Sequence, residues 1–300
     1  GNFGVPACSI NDPGENGVII LELSSYQLDG AKNLSLDMAT IINITPDHLD
    51  YHENFDRYIL CKLKIINFLR KNGIFIFEKS NKLLDKIIDT SNYKSLQFIR
   101  IHKKESTDFI NDNNHLKGTH NAINASIAIS IAKKLNINDD KIELAIKRFK
   151  GLSHRMEQIY VSKDLEIIND SKSTNGESTA AALKSFNNIF WIVGGKPKND
   201  GIGEAKKFLD KVVEIFIIGD STNYFSEEIL KLNKNIPLNV CVTIENATKL
   251  ALKKSKISKL KKCVILLSPS AASFDQFKNF EDRGNKFKQI VKSQLIRGVI

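Results

Sequence analysis

The sequence predicts an α/β protein built from two doubly wound units in tandem. Short apolar, β-branched runs alternate with longer segments of helical periodicity, which is the pattern of buried parallel strands covered by helices. Polar, hydroxyl-rich stretches follow several of the apolar runs, and ligands of such folds bind at the carboxyl ends of parallel strands. A length of 300 residues is sufficient for about two domains.

The first half of the chain begins this alternation. Its predicted strands are the apolar runs at 18–23, 39–44 and 74–77. Its predicted helices are the segments at 54–69, 83–91, 119–135 and 139–149. The helix at 54–69 has an apolar stripe along one face, as expected for a helix that packs on a sheet. The region at 96–111 contains strand-like pieces in polar surroundings.

A second alternation follows a connection near Gly151, so we predict domains at 1–151 and 152–300. Its predicted strands are 165–169, 189–193, 213–218 and 263–267. Its predicted helices are approximately 177–186, 203–211, 224–232, 245–256 and 278–294.

Composition indicates an ordinary globular protein. The net charge is +10, but the lysines are dispersed and no RNA-binding aromatic motif accompanies them, so small anionic substrates fit as well as nucleic acid. No apolar run has the length of a membrane span, and the first residues show no signal peptide. We therefore expect a cytoplasmic monomer that binds neither nucleic acid nor membranes. Scattered cysteines without a CxxC pair predict reduced core residues: Cys8, Cys61, Cys241 and Cys263.

One strand-to-helix turn concentrates chemically useful side chains. After the strand at 165–169, Asp170, Ser171, Lys172 and Thr174 provide a carboxylate, two hydroxyls and an ammonium group. Free N–H groups at the start of the following helix favour anions. The same residue types are also common as turn and N-cap residues, so this pattern alone fits a capped turn or a ligand site.

Two polar positions in the first unit follow predicted strands. Glu22 and His48 lie just past strand ends, so the fold could bring a carboxylate and an imidazole to one edge and bind a divalent metal there. Taken singly, Glu22 is better explained as a strand-end charge and His48 as a turn residue. On the helix at 119–135, Asn121 and Asn124 share a face and could bind a nucleobase, or could be polar residues of the first turn.

Two further turns of the second unit could bind ligands. Gly194 and Gly195 allow a tight turn with close backbone approach, although neither GxGxxG nor the P-loop pattern occurs in the chain. The run at 267–284 is a hydroxyl-rich turn that leads into a helix, and it could hold a carboxylate through hydroxyls and N–H groups.

Seven segments together resemble the Mur ligases of bacterial cell-wall synthesis. They occur in the family's order and span the whole chain, and the last resembles the branch that acts on D-glutamate. The segments are GNFGVP at 1–6, LELSSYQL at 21–28, TPDHLD at 45–50, HNAINA at 120–125, GLSHR at 151–155, NDSKSTN at 169–175 and the run at 267–284.

The resemblance implies ATP-dependent addition of D-glutamate to UDP-N-acetylmuramoyl-L-alanine through an acyl phosphate, in peptidoglycan precursor synthesis. It implies a partial central ATPase domain of the P-loop type at 1–151 and a Rossmann-like amino-acid-binding domain at 152–300. The alternative is another amino-acid ligase of the superfamily that contains the Mur ligases and folylpolyglutamate synthases.

The resemblance also implies two Mg²⁺ sites. Glu22 would hold the metal shared with the ATP phosphates, and His48 would hold the second. Lys62 matches the family lysine that becomes carbamylated, which converts a cation into an oxygen ligand for a hard metal. Lys64 is the rival position if the register is off by two.

The remaining roles are likewise implied by the resemblance. The residues expected to contact ATP are Asn121 and Asn124 at the adenine, Arg155 at the γ-phosphate and Asp170 at the ribose. Those expected on the substrate side are Asn2, Ser24, Lys172, Thr174, Lys198, Ser273, Phe274 and Phe280. The expected catalytic set is Lys62, His48, Lys172 and Arg155.

The sequence also departs from the family pattern. The family carries a UDP-binding domain and a glycine-rich P-loop before the position that matches residue 1, so we expect this piece alone to be nearly inactive. Ser173 stands where alanine is usual, and Tyr51 stands where arginine is common.

Overall fold

Parallel strand pairs with intervening helices make up both halves of the chain, which confirms the predicted α/β class. The computed structural model describes residues 6–90, 93–110, 113–116, 119–198, 201–232 and 235–298. The chain divides into two compact units, Gly1–Arg148 and Phe149–Ile300. Within the described ranges, every helix is too short or too polar to cross a bilayer.

The sheet of the first unit is centred on its second strand. The strands pair in parallel in the order β1 (Leu36–Thr40), β2 (Leu69–Glu78) and β3 (Gln97–Ile101). Phe75 and Phe77 of β2 pack on one face, and Ile76 packs on the other, because successive strand residues point to opposite faces. The helices are α1 (Ser25–Gly30), α2 (Leu49–His52), α3 (Phe55–Asn67), α4 (Lys82–Thr90), α5 (Thr107–Ile110), α6 (Thr119–Lys134) and α7 (Asp139–Arg148).

The predicted strand at 18–23 is wrong. This run has no regular secondary structure, and Val18, Ile19 and Ile20 are 53%, 52% and 86% exposed. A strand gains its hydrogen bonds only from a neighbour, and β1 pairs with β2 alone in the described part of the chain. The strand predicted at 39–44 in fact ends at Thr40, although Ile44 beyond it is still buried.

The second unit contains the strands predicted at 165–169, 189–193, 213–218 and 263–267. They are β5 (Leu165–Asn169), β6 (Ile189–Gly194), β8 (Val212–Ile218) and β10 (Cys263–Leu267). The sheet order is β4-β5-β10-β6-β8-β9, and the unpredicted edge strands are β4 (Glu157–Val161), antiparallel to β5, and β9 (Leu238–Val242). A separate two-residue pair joins β7 (Lys196–Pro197) and β11 (Ala271–Ala272).

Helices cover both faces of this sheet. They are α8 (Gly176–Lys184), α9 (Thr222–Leu232), α10 (Ile244–Ile257) and α11 (Phe280–Ile296). The helix predicted at 203–211 is a 3-10 segment instead, and the non-helical backbone of Phe208 interrupts it. Cys61, Cys241 and Cys263 are buried as predicted, but Cys8 is exposed because its short 3-10 turn buries no residue.

Every residue of strand β6 is buried. Trp191 and Val193 pack against one face, whereas Phe190 and Ile192 pack against the other. Trp191 is the chain's only tryptophan, and its indole Nε1 donates to the Ser268 carbonyl at 2.8 Å. This bond joins the middle of β6 to the turn that follows β10.

The glycine pair after β6 makes the close backbone approach that the sequence predicts. Gly194 has φ +125°, and a Cβ atom added there would lie 2.0 Å from the Ile218 carbonyl oxygen. Gly195 has φ +133°, and a Cβ atom there would lie 2.4 Å from the Ala272 carbonyl oxygen. Only glycine fits these two positions without displacing backbone.

We expect Gly194→Ala to lower the free energy of unfolding of the second unit by about 3 kcal/mol, because it combines backbone strain with a clash. Gly298→Ala is the matched control, since Gly298 also has positive φ (+65°) but no atom near the added Cβ. It should cost only about 1 kcal/mol. Chemical denaturation measures both values, and equal losses would contradict the clash.

Candidate active site

His48 occupies a strained backbone position beside a tyrosine. It has φ 56° and ψ 35° immediately before α2. Its Nδ1 lies 3.1 Å from the Tyr26 hydroxyl, and its Nε2 lies 3.6 Å from Asp47 Oδ2. The Tyr26 hydroxyl is therefore hydrogen-bonded to Nδ1 of His48, and Nε2 faces the Asp47 carboxylate. Sequence reasoning did not identify Tyr26 as a partner of His48.

The segment before α1 carries Glu22 and Ser24. Glu22 is exposed and lies in irregular backbone. The Ser24 hydroxyl accepts from the Gln27 N–H at 3.2 Å, and the Ser24 N–H donates to Gln27 Oε1 at 2.9 Å, so this serine caps α1. A substrate role for Ser24 stays a prediction. Asn2 lies outside the described residues.

The two candidate lysines of α3 have different surroundings. Lys62 Nζ donates to the Asn43 carbonyl at 3.2 Å and lies 4.9 Å from the centre of the Tyr58 ring. Lys64 Nζ lies 2.5 Å from Asp29 Oδ1, and this contact raises the pKa of Lys64. Carbamylation requires a neutral amine, and a carboxylate partner favours the ammonium form. The Asp29 contact therefore disfavours carbamylation of Lys64, and the carbamylation of Lys62 stays a prediction.

The donor types in the first unit suit magnesium. Glu22 and Asp47 offer carboxylate oxygens, which Mg²⁺ prefers, and His48 adds an imidazole nitrogen. Among the described residues, no group of three or more His, Cys, Asp and Glu side chains is arranged to hold a metal. The predicted ligands include only Glu22 and His48 of these types, one for each of the two predicted metals, and the Lys62 carbamate is the other predicted ligand. The two metal sites and the carbamate stay predictions.

The predicted adenine contacts both lie near the start of α6. Asn121 is half-buried and Asn124 is exposed, three positions further along the same helix. This spacing places both amides on one face, although their contact with adenine stays a prediction.

Three strand-end turns of the second unit are tied together. The Asp170 N–H donates to the Leu267 carbonyl at 2.8 Å, and the Gly194 N–H donates to the Pro269 carbonyl at 2.9 Å. The pairing of Ala272 with Lys196 adds a further link. The turns at 170–174, 194–198 and 268–274 therefore form one edge, which carries Lys172, Thr174, Lys198, Ser273 and Phe274.

Asp170 is buried and its carboxylate joins three segments. Oδ1 accepts from the Met156 N–H at 3.0 Å, and Oδ2 accepts from the hydroxyls of Ser173 at 2.5 Å and Ser268 at 3.0 Å. Burial raises the pKa of Asp170 to about 6, and the hydrogen bonds oppose this shift. Contact with a ribose, which stays a prediction, would have to be made by a carboxylate that already accepts these bonds.

Lys172 lies against the start of α11. Its Nζ is 5.4 Å from the centre of the Phe280 ring, a cation–π distance, and its N–H donates to the His154 carbonyl at 3.0 Å. The neighbouring Ser171 hydroxyl donates to the Phe280 carbonyl at 2.8 Å. The structure thus brings Lys172 and Phe280 together.

The two predicted contacts on the turn at 268–274 differ in exposure. Ser273 is 2% exposed, whereas Phe274 is 70% exposed.

A buried histidine holds the segment that carries Arg155. His154 Nδ1 lies 3.0 Å from Asn169 Nδ2, and the His154 N–H donates to Glu157 Oε2 at 2.9 Å. Burial and the nearby Lys288 charge lower the pKa of His154, which favours a neutral ring at neutral pH. Arg155 itself is exposed. Sequence reasoning treated this stretch as a connection and missed the histidine.

Sequence reasoning also missed Arg283. It is 1% exposed and shares the buried face of α11 with Phe287, Ile290 and Gln294. The available signal was its position, because these residues recur every three to four positions along one helical stripe. A charged residue on such a stripe is almost never fully buried without a specific reason.

Comparison with known proteins identifies the family. The chain is 35% identical over 311 residues to the UDP-N-acetylmuramoylalanine--D-glutamate ligase of Rickettsia felis, covering 97% of this chain and 68% of that protein. The chain belongs to the Mur ligase family. Residues 3–132 match the Mur ligase middle domain. The ligase of the same name from Novosphingobium aromaticivorans is 35% identical over 296 residues, and the chain spans 65% of its length and 98% of its own.

Solved structures share the Mur ligase fold with this chain. MurF from Acinetobacter baumannii aligns with a TM-score of 0.61 at 17% identity, covering 84% of this chain and 60% of that one. A bifunctional folylpolyglutamate synthase/dihydrofolate synthase from Yersinia pestis, complexed with AMPPNP and a manganese ion, aligns at 0.58 and 14% identity, covering 85% and 62%. At these identities the similarity concerns the fold alone.

Asp170 should make stability depend on pH. Its folded pKa of about 6 exceeds the ordinary 3.8, so its stabilising contribution is complete below 3.8 and is lost as the pH rises through 6. The loss amounts to about 3 kcal/mol for a shift of this size.

We expect Asp170→Asn to remove this dependence, because an amide does not ionise. The amide oxygen can still accept from the Met156 N–H, whereas the amide NH2 would donate to the Ser173 and Ser268 hydroxyls, which would then act as acceptors. Urea denaturation between pH 4 and 8 compares the two proteins, and the wild type should lose stability relative to the variant as the pH rises. Parallel profiles would contradict the assignment. Ser268→Ala is the control that keeps the carboxylate and removes one hydrogen bond to it. The stability of this variant should still fall as the pH rises.

Proposed function

We propose that this chain forms the nucleotide- and amino-acid-binding parts of a ligase that adds D-glutamate to UDP-N-acetylmuramoyl-L-alanine with hydrolysis of ATP to ADP. The observation that carries this proposal is the edge of the second unit, where hydrogen bonds and strand pairing tie three turns together. The chain's similarity to UDP-N-acetylmuramoylalanine--D-glutamate ligases also supports the proposal.

The side chains of this edge suit a dicarboxylate amino acid. Lys172 and Lys198 supply positive charge, whereas Thr174 and the buried Ser273 supply hydroxyl donors. Charge-assisted hydrogen bonds of these kinds are the strong ones for carboxylates. The Phe280 ring limits where the Lys172 ammonium group can lie. We assign D-glutamate binding to these five residues, together with Phe274.

The proposed reaction has two chemical stages. The carboxylate of UDP-N-acetylmuramoyl-L-alanine takes the γ-phosphoryl group of ATP, and the D-glutamate amine then attacks the acyl phosphate, forming the amide and releasing phosphate. Such transfers depend on positioning and on stabilising the developing charge. We assign Arg155 to the γ-phosphate, Asn121 and Asn124 to adenine, and Asp170 to the ribose.

Magnesium would be held by Glu22, His48 and Lys62 as its carbamate, where it would neutralise phosphate charge. The donor chemistry around His48 supports this assignment, as does a structural relative complexed with AMPPNP and manganese. Nucleotide and metal use are thus expected from the family, whereas the carbamate and the two-site arrangement are our proposals. Because the proposed substrates are cytoplasmic metabolites, we place the activity in the cytoplasm.

The alternative is an amino-acid ligase of the same superfamily with another acceptor. Phosphate release by the full-length enzyme separates the two when ATP and UDP-N-acetylmuramoyl-L-alanine are supplied with a panel of acceptors. We expect release with D-glutamate and little with L-glutamate, D-aspartate, L-lysine or diaminopimelate. Efficient release with another acceptor, and none with D-glutamate, would refute the proposal.

Lys62→Ala should abolish turnover by the full-length enzyme, because it removes the amine that becomes a carboxylate-like ligand. Short-chain carboxylic acids added to this variant should restore part of the activity by supplying the missing oxygen donor. Lys64→Ala is the matched control on the same helix, and it should retain activity because its partner is Asp29. Loss of turnover in Lys64→Ala, with activity retained in Lys62→Ala, would reverse the assignment.

A further inference from the structure

Arg283 lies behind the edge that carries Lys172 and Ser273. Its Nε donates to the Ser171 hydroxyl at 3.1 Å, and its Nη2 donates to the carbonyls of Ser171 at 2.8 Å and Ala271 at 3.0 Å. One planar group therefore bridges the turn after β5 and the short strand β11. The fixed fork of a guanidinium makes such a bridge rigid.

The bridged residues adjoin the proposed amino-acid contacts. Ser171 directly precedes Lys172, and Ala271 lies two positions before Ser273. The Ser171 hydroxyl also donates to the Phe280 carbonyl, which fixes the start of α11 to the same turn. A change at the guanidinium would therefore alter the spacing between Lys172 and Ser273.

The third turn closes on the same guanidinium. A Cβ atom added to Gly195 would lie 3.2 Å from Arg283 Nη1 and 2.4 Å from the Ala272 carbonyl oxygen. Arg283 thus touches or borders all three turns of the edge.

The charge of Arg283 is not balanced by a carboxylate in contact. Nη1 is buried without a hydrogen-bond partner, and no ion pair joins this residue to an acid in the described part of the chain. Burial lowers its pKa to about 10, while Asp275 acts in the opposite direction, so the group is charged at neutral pH. A buried, unpaired charge is costly and calls for a compensating anion nearby.

We propose that Arg283 is a positioning residue for the amino-acid substrate: it sets the spacing of Lys172 and Ser273, and this spacing favours a dicarboxylate of one length. The inference rests on the proposed function, because it concerns the same amino-acid site. Arg283 is 1% exposed behind Ser171, Gly195 and Ala271, so in this proposal it acts through the turns and not by contact with the substrate.

A purely structural tie predicts a different outcome from a positioning role. A tie that only stabilises the fold would change the melting temperature and affect all substrates alike. A positioning residue changes the KM of one substrate and the discrimination between acceptors of different length. Lysine at this position keeps the charge but loses the fork, so it tests the geometry directly.

The experiment measures phosphate release by the full-length enzyme with D-glutamate, ATP and the UDP-linked substrate each varied in turn. We expect Arg283→Lys to raise the KM for D-glutamate about tenfold, as loss of one charge-assisted hydrogen bond predicts, and to leave the KM for ATP unchanged. Its preference for D-glutamate over D-aspartate should fall by a similar factor.

Lys286→Met is the matched control, since it removes a positive charge from an exposed position three residues further along α11. It should change neither KM. Ser171→Ala is a milder second variant, which removes the hydroxyl that accepts from Nε and keeps the charge. It should raise the KM for D-glutamate about threefold, and it tests the inference if Arg283→Lys does not fold.

The outcomes separate the inference from the proposed function. A wild-type enzyme that releases no phosphate with D-glutamate would refute the proposed function, and the inference with it. If the wild type uses D-glutamate while folded Arg283→Lys and Ser171→Ala keep its KM and acceptor preference, only the inference is overturned. A rise in every KM together, with a lower melting temperature, would likewise assign Arg283 a structural role alone.

Discussion

The parallel insertion of β10 between β5 and β6 is the constraint on which the candidate active site of the second unit depends. Its register aligns Leu267 with Asn169 on one side and with Ile192 on the other. The residues after these strands therefore emerge at one edge, although β10 lies far from β5 along the chain. A slip of one residue would turn every side chain to the opposite face and separate Ser268 from Asp170.

The polar groups behind this edge are buried, and burial sets their chemistry. It raises the pKa of Asp170 and lowers that of Arg283, so each group is shifted towards its neutral form. Hydrogen bonds from different segments hold both groups in place. The first unit differs, because Glu22 is exposed and the His48 side chain is 39% exposed. The proposed ligands Glu22 and His48 are thus accessible to water, which suits a cation that keeps part of its hydration shell.

Local pattern predicted those elements whose burial follows from their own sequence. The strands β6 and β10 are continuous apolar runs because helices cover both of their faces, and β5 and β8 are mostly apolar apart from Glu166 and Asn169 in β5 and Glu214 in β8. The turn at 170–174 was visible as a strand-to-helix junction. The predicted strand at 18–23 does not form, because apolar β-branched residues indicate fit to a sheet without supplying a neighbouring strand. Non-local partners were likewise hidden: Asp170 meets Ser268 across 98 positions, and Arg283 meets Ser171 across 112.

The single tryptophan gives the second unit an intrinsic optical reporter. Trp191 is fully buried in β6, and its indole hydrogen-bonds the carbonyl of Ser268, whose hydroxyl contacts Asp170. Indole emission shifts to longer wavelength when the ring becomes hydrated, so its colour follows the packing of this unit and its candidate site. The first unit contains no tryptophan and emits only through tyrosine. Excitation at the red edge of indole absorption therefore gives fluorescence from the second unit alone, because tyrosine does not absorb there.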